Sequence, residues 1–156
     1  MLSDGEILDL LKSGHLNITP FDEKNMTPNG YDLCIGGIEV NEVMMTPENE
    51  KFIVSPLTPF RVISLETVTL SNGFVANLWL KQRYARRGIQ ATFSQIDAEF
   101  YGTLSFGGFN GNGRPFEFEV GAPFAQIVFD RLEVPPIRAY SARSGHYKGQ
   151  KNVILK

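Results

Sequence analysis

The stretch GTLSFGGFNGNGRPFEFEVGAPFAQIVF, residues 102–129, holds three short apolar runs broken by glycine, asparagine and proline. Residues 102–109 and 123–129 have the length of buried strands. Between them Phe116 and Phe118 alternate with Glu117 and Glu119, the period of a half-buried strand whose glutamates face water. FNGNGRP, at 109–115, contains the residues that accept positive φ and predicts a tight hairpin turn. Strands this close together, with Gly and Pro between them, predict an all-β barrel or sandwich.

The same pattern extends toward the N-terminus. FRVISLETVTL at 60–70 mixes alternation with β-branched residues, and GFVANLWL at 73–80 reads as a buried strand. QRYARRG at 82–88 breaks the strand pattern and predicts a single helical turn. One longer helix is predicted at the start: Ser3 and Glu6 form a capping box, Ile7, Leu8 and Leu11 make one apolar face, and Gly14 ends it. No repeat or linker divides the chain. A barrel domain is expected over 1–141, followed by a polar, glycine-containing tail at 142–156.

Composition narrows the partners. A chain of 156 residues with 42% hydrophobic residues can bury a core. A net charge of −2 gives no general attraction to nucleic acid or anionic membrane, so a phosphate ligand needs a local basic cluster. The only cysteine, Cys34, excludes an intrachain disulfide and a Cys-rich metal site, and its apolar surroundings read as core. The acidic start MLSDGEILDLL is unlike a signal peptide, and no apolar run approaches the ~20 residues that span a bilayer. A cytoplasmic protein is expected, with no nucleic-acid or membrane partner.

Residue patterns alone leave the chemistry open. There is no Walker phosphate loop, no GxGxxG and no HExxH, and His15 and His146 lie far apart. Lys81, Arg83, Arg86 and Arg87 fall within seven residues, which suits either phosphate oxygens or a solvated loop. Asp97 and Glu99 beside Phe100 and Tyr101 suit either a base next to a stacking platform or an ordinary acid before a turn.

Read in order, five segments resemble the superfamily of dUTP pyrophosphatases and dCTP deaminases, after an opening, MLSDGEILDLLKSGHLNITPF, that looks like its N-terminal helix and first strand. NGYDLCIGG at 29–37 is similar to P-x-x-YDLRLG, with Tyr31, Asp32 and Leu33 in place. KQRYARRGI at 81–89 occupies the slot of RSSLARLGI, and QIDAEFYG at 95–102 resembles ID-x-x-[WYF]-x-G. GAPFAQIVF at 121–129 looks like G-x-x-[IF]-AQ-[LI]-[VA]-F, and HYKGQ at 146–150 is similar to [KN]YQGQ. The resemblance implies a distorted jelly-roll-like β-barrel that forms a homotrimer with active sites between subunits.

It also implies roles. In the pyrophosphatase branch Mg²⁺ is held mainly by the substrate's phosphates, so no protein metal ligands are expected. Asp97 takes the place of the carboxylate that orients and deprotonates the attacking water, and Phe100 that of the aromatic residue against the deoxyribose. Lys81, Gln82 and Arg86 fall at the phosphate-binding positions, with Arg87 outward. Asp32 organises the site, and Gln126 supports the barrel or interface. Tyr147 and Gln150 belong to a lid over the ligand. Three departures stand out. Lys81-Gln82-Arg83 replaces Arg-Ser-Ser, losing a planar fork and a small hydroxyl and adding a charge. Ala98-Glu99 replaces Pro-Gly after the aspartate. The deaminase branch carries its proton-shuttling glutamate ten positions beyond that aspartate, and this chain has Gly107 there. The expectation is therefore dUTP hydrolysis to dUMP and pyrophosphate. The alternatives are a catalytically weakened deoxynucleotide-binding or regulatory protein, or a dCTP deaminase.

Overall fold

Ser3 and Glu6 close the predicted capping box reciprocally in the computed structural model, which describes residues 1–138 and Ala142. Apart from Ala142, the segment read as a lid, with Tyr147 and Gln150, lies outside the described residues. The box starts α1 (Asp4–Ser13), and Gly14 ends it in the left-handed conformation at φ 75°. Ile7 and Leu10 bury one face of the helix.

The remaining elements are β1 (Leu16–Thr19), β2 (Met26–Thr27), β3 (Gly30–Val40), β4 (Val43–Met44), β5 (Lys51–Val54), β6 (Pro59–Leu70), β7 (Phe74–Leu80), α2 (Gln82–Ala85), β8 (Ile89–Thr92), β9 (Tyr101–Asn110), β10 (Phe116–Glu119) and β11 (Pro123–Arg131). The main sheet runs β7-β11-β3-β6-β9-β8, and each neighbouring pair is antiparallel. Its end strands β7 and β8 flank one opening, and past the end of β8 Ile96 exchanges two backbone hydrogen bonds of 3.0 and 2.8 Å with Ala76 of β7. The sheet is thus a barrel left open along one seam, the all-β architecture expected.

One hydrophobic core fills the barrel. Within it Phe116, Phe118 and Phe124 surround Tyr84, whose ring lies 5.0 Å from Phe124 and 5.7 Å from Phe118, and Phe106 stacks on Phe124. Glu117 and Glu119 are exposed and Phe116 and Phe118 buried, as alternation predicts. Cys34 is buried as expected.

The hairpin predicted at FNGNGRP does not form. β9 pairs with β6 and β8, whereas β10 pairs with β5 in a separate two-stranded sheet. None of residues 110–113 adopts positive φ. The buried Asn110 side chain decides the path instead, because its Nδ2 faces the carbonyls of Val54, Ser55 and Arg114 at 3.0–3.1 Å. Those bonds pull the chain onto the end of β5 and away from its own preceding strand.

Candidate active site

α2 is the predicted helical turn, and four residues are too few to hold a helix by internal hydrogen bonds. Its neighbours hold it. Tyr84 anchors it in the aromatic core, where burial pushes the phenol up. The Lys81 N–H donates to Phe124 O at 3.0 Å. Arg83, the unexpected charge, donates to Pro123 O at 2.7 Å and lies over the Tyr84 ring, which makes it a brace between α2 and β11. Arg87 points outward, with its guanidinium 4.4 Å from the Phe116 ring centre. Gln82 and Arg86 are exposed, and no partner for either side chain occurs among the described residues.

Lys81 has a partner. Its Nζ donates to Asp32 Oδ2 at 2.5 Å, with the side chains 31% and 12% exposed. The second Asp32 oxygen, Oδ1, is buried without any partner among the described residues. The geometry has a simple cause. An arginine fork can meet both oxygens of a carboxylate, whereas an ammonium is a point charge that meets one. With lysine at position 81, one oxygen of Asp32 is met and the other is left without a partner among the described residues. Nearby, Gln126 Nε2 donates to Thr27 Oγ1 at 2.6 Å and ties β11 to β2.

Asp97 lies at the other end of the seam. It is exposed, and its carboxylate has no partner among the described residues. Glu99 adopts φ 65°, so it keeps the left-handed conformation of the pattern's glycine at some local cost. Phe100 is only 6% exposed and packs into the core, so it offers a ligand an edge at most; its neighbour Tyr101 is the exposed ring. The Ala76–Ile96 bridge puts Asp97 beside the start of β7, and Lys81 follows its end. Lys81 is five steps along the chain from Ala76, roughly 16 Å at ~3.3 Å each. One protomer therefore does not bring its own Asp97 and Lys81 side by side.

Between these ends the seam opens into a cleft of about 520 Å³, lined on one side by Asn77, Trp79 and Leu80 and on the other by Ala91, Phe93 and Gln95. Trp79 is 61% exposed on its rim. None of these residues stood out in the sequence, since a lone exposed tryptophan carries no motif. Gly107 lies on β9 opposite Arg61 of β6 and Thr92 of β8. A Cβ added there would meet nothing within 4 Å, so the position has room for a side chain and has none.

A buried acid in β6 also escaped the sequence reading. Glu66 is 1% exposed, and its Oε2 accepts the backbone N–H of Cys34 at 2.9 Å. Burial pushes its carboxyl up, while burial and then Glu66 push the Cys34 thiol up to about 12. Such a thiol is inert at neutral pH.

An open-seamed, jelly-roll-like barrel with this order of motifs defines the structural class shared by dUTP pyrophosphatases and dCTP deaminases. The chain belongs to the dCTP deaminase-like family, whose model matches residues 38–132. It is 33% identical over 140 residues to the dCTP deaminase of Pyrococcus horikoshii, covering 88% of each chain. It is 31% identical over 157 residues to a probable deoxyuridine 5'-triphosphate nucleotidohydrolase of Sulfolobus islandicus rod-shaped virus 1, covering 99% of this chain and 97% of that one. Among solved structures, the 2'-deoxycytidine 5'-triphosphate deaminase of Agrobacterium tumefaciens superposes with a TM-score of 0.66 at 19% identity, over 84% of this chain. This chain spans about half of that protein, 48% of its length.

Proposed function

We propose that this chain hydrolyses dUTP to dUMP and pyrophosphate, as a homotrimer whose active sites lie between protomers. The observation that carries the reading is an exposed carboxylate at Asp97, without a partner among the described residues, combined with bare backbone at Gly107. The chain retains a group that can take a proton from water and lacks the side chain that would move one to a cytosine ring. The likeness to a viral nucleotidohydrolase along nearly the whole chain supports this side of the family.

Asp97 accepts a proton from water as the water oxygen bonds to the α-phosphorus. The bond from that phosphorus to the β-bridging oxygen breaks, and pyrophosphate leaves with the electron pair. Arg86 and Lys81 of a neighbouring protomer meet the phosphates, and the Gln82 amide donates to a phosphate oxygen in place of the family's hydroxyl. The separation of Asp97 from Lys81 within one protomer is what favours this sharing. Phe100 presents its edge to the sugar, the seam cleft receives the base, and Tyr147 and Gln150 close over the ligand. Mg²⁺ enters this reading as the companion of the substrate's phosphates. Bound there, it neutralises charge and fixes the triphosphate geometry.

One specific observation favours a second reading, a deoxynucleotide-binding protein with weakened catalysis: Lys81 is engaged by Asp32, and Gln82 replaces a hydroxyl. A panel of deoxynucleoside triphosphates with Mg²⁺, with pyrophosphate and ammonia scored separately, separates the readings. Pyrophosphate from dUTP is expected. Binding without turnover would select the second reading, and ammonia from dCTP would overturn both.

A further inference from the structure

We infer that Asn112 is a positioning residue that locks the C-terminal end of the basic turn and so sets where Arg86 presents its charge. The functional half of this inference rests on the phosphate-binding role proposed for that turn. The carbonyls of Gln82, Tyr84 and Ala85 accept from Arg86, Arg87 and Gly88, so the turn closes on itself and leaves the next two carbonyls, of Arg87 and Gly88, to find donors elsewhere. The loop after β9 supplies both donors. Asn112 Nδ2 donates to Arg87 O at 2.8 Å, and the Gly111 N–H donates to Gly88 O at 3.0 Å.

Asn112 is itself held. Its Nδ2 and its backbone N–H both reach Asn110 Oδ1, at 2.9 and 3.1 Å. Asn110 is fully buried and fastened to the end of β5 through Val54 and Ser55. The path from rigid sheet to Arg87 therefore runs through two amide side chains, with every donor matched to an acceptor. The opposite face of the contact shows the same fit. Gly88 has φ 79°, and a Cβ there would lie 2.7 Å from Asn112 Oδ1 and 3.1 Å from its Cγ. Asn112 occupies the space that any larger residue at 88 would need, so the two positions form one joint.

Chemistry makes the joint specific. Aspartate at 112 would turn an oxygen toward Arg87 O and Asn110 Oδ1 and repel both, and alanine would leave the Arg87 carbonyl to water. Arg86 sits immediately before this joint, exposed and without a partner among the described residues. The backbone alone aims it.

The test compares Asn112→Ala, Asn112→Asp and Gly88→Ala with the wild-type full chain. Amide hydrogen exchange is read at Arg86, Arg87 and Gly88, whose N–H groups bond within the turn to Gln82, Tyr84 and Ala85. KM and kcat for dUTP with Mg²⁺ are measured in parallel, with the Kd for inorganic tripolyphosphate. Exchange at those three amides should quicken roughly tenfold or more in all three variants, while β3 and β11 keep wild-type protection. KM and the tripolyphosphate Kd should rise on the order of tenfold with kcat within about twofold, the mark of lost ground-state binding. Unchanged exchange at 86–88 would overturn the joint whatever the activity does. Faster exchange with unchanged tripolyphosphate affinity would reduce Asn112 to a structural residue and overturn its positioning role. A wild-type chain that binds tripolyphosphate but does not hydrolyse dUTP would end the hydrolase reading and leave this inference to the exchange and affinity data.

Discussion

Replacing Lys81 with arginine should make this protein more stable, although it substitutes one cation for another. The Asp32 carboxylate receives one hydrogen bond, at 2.5 Å from Lys81 Nζ, and its buried Oδ1 receives none among the described residues. A buried acceptor left unsatisfied costs about 1–3 kcal/mol. A guanidinium presents two parallel N–H groups at the spacing of a carboxylate, and both side chains lose similar rotamer entropy, about 2 kcal/mol. Recovering part of the Oδ1 cost gives an expected gain of about 1 kcal/mol, or a rise in Tm of roughly 2–4 °C for a chain of this size. Lys81→Met is the counterpart. It leaves Asp32 buried with no cation, and breaking a buried pair from one side costs about 3–5 kcal/mol; the partial exposure of this one puts the loss at or below the lower end. Urea unfolding at one fixed protein concentration reads both, with the m-value reporting whether the unfolded states are comparable. If Lys81→Met is destabilised while Lys81→Arg is equal to or below wild type, the pair matters but the fork does not, and the account of Oδ1 is wrong.

Gly107→Ala should be tolerated and should raise stability by about 0.5–1 kcal/mol, because the strand position is open and alanine has less backbone freedom to lose; a loss in the same urea experiment would contradict the open geometry. Asp97→Asn should lower kcat by about 10² or more with little change in nucleotide Kd, and near-normal turnover would reject Asp97 as the base. Stability should fall as pH rises from the ordinary glutamate value of 4.5, because folding raises the pKa of Glu66: the folded state then holds a proton that the unfolded chain has released, and the stabilisation is lost through the folded pKa. The groups around it are the Cys34 thiol, the Tyr31 phenol and, further out, Lys24, so Glu66→Gln should flatten this slope; parallel pH profiles for the two proteins would refute it. Sedimentation should find a trimer, and a fully active monomer would end the shared-site reading.

Local chemistry made much of the fold legible. The capping box from Ser3 to Glu6, the stop at Gly14, the helical turn after β7 and the Phe-Glu alternation of β10 depend on neighbours within a few residues, and each appears where the pattern predicts. The Asn-Gly run after β9 misled for the opposite reason. Its residue types suit a hairpin, but Asn110 also hydrogen-bonds Val54 and Ser55, more than fifty positions away, and those bonds outweigh turn preference.

The candidate site divides along the same line. Asp97, the basic run and the vacancy at Gly107 can be read from the order and spacing of residues, because each is a matter of which side chain is present. Which charges are free is not. Asp32 and Lys81 are forty-nine residues apart in the chain and meet only because β3 and the end of β7 both flank β11. Arg83 and Arg87 resemble Arg86 in sequence, yet the first is spent on Pro123 O, the second lies on Phe116, and only the third has no partner among the described residues. Likewise Phe100 fills core while Tyr101 meets water, because a strand sends successive side chains to opposite faces and only the sheet's closure determines which face is inside. The sequence by itself determined the elements, the family pattern and the inventory of charges. Tertiary structure decided which of those charges remain available to a ligand, because availability depends on partners that the chain brings together only by folding.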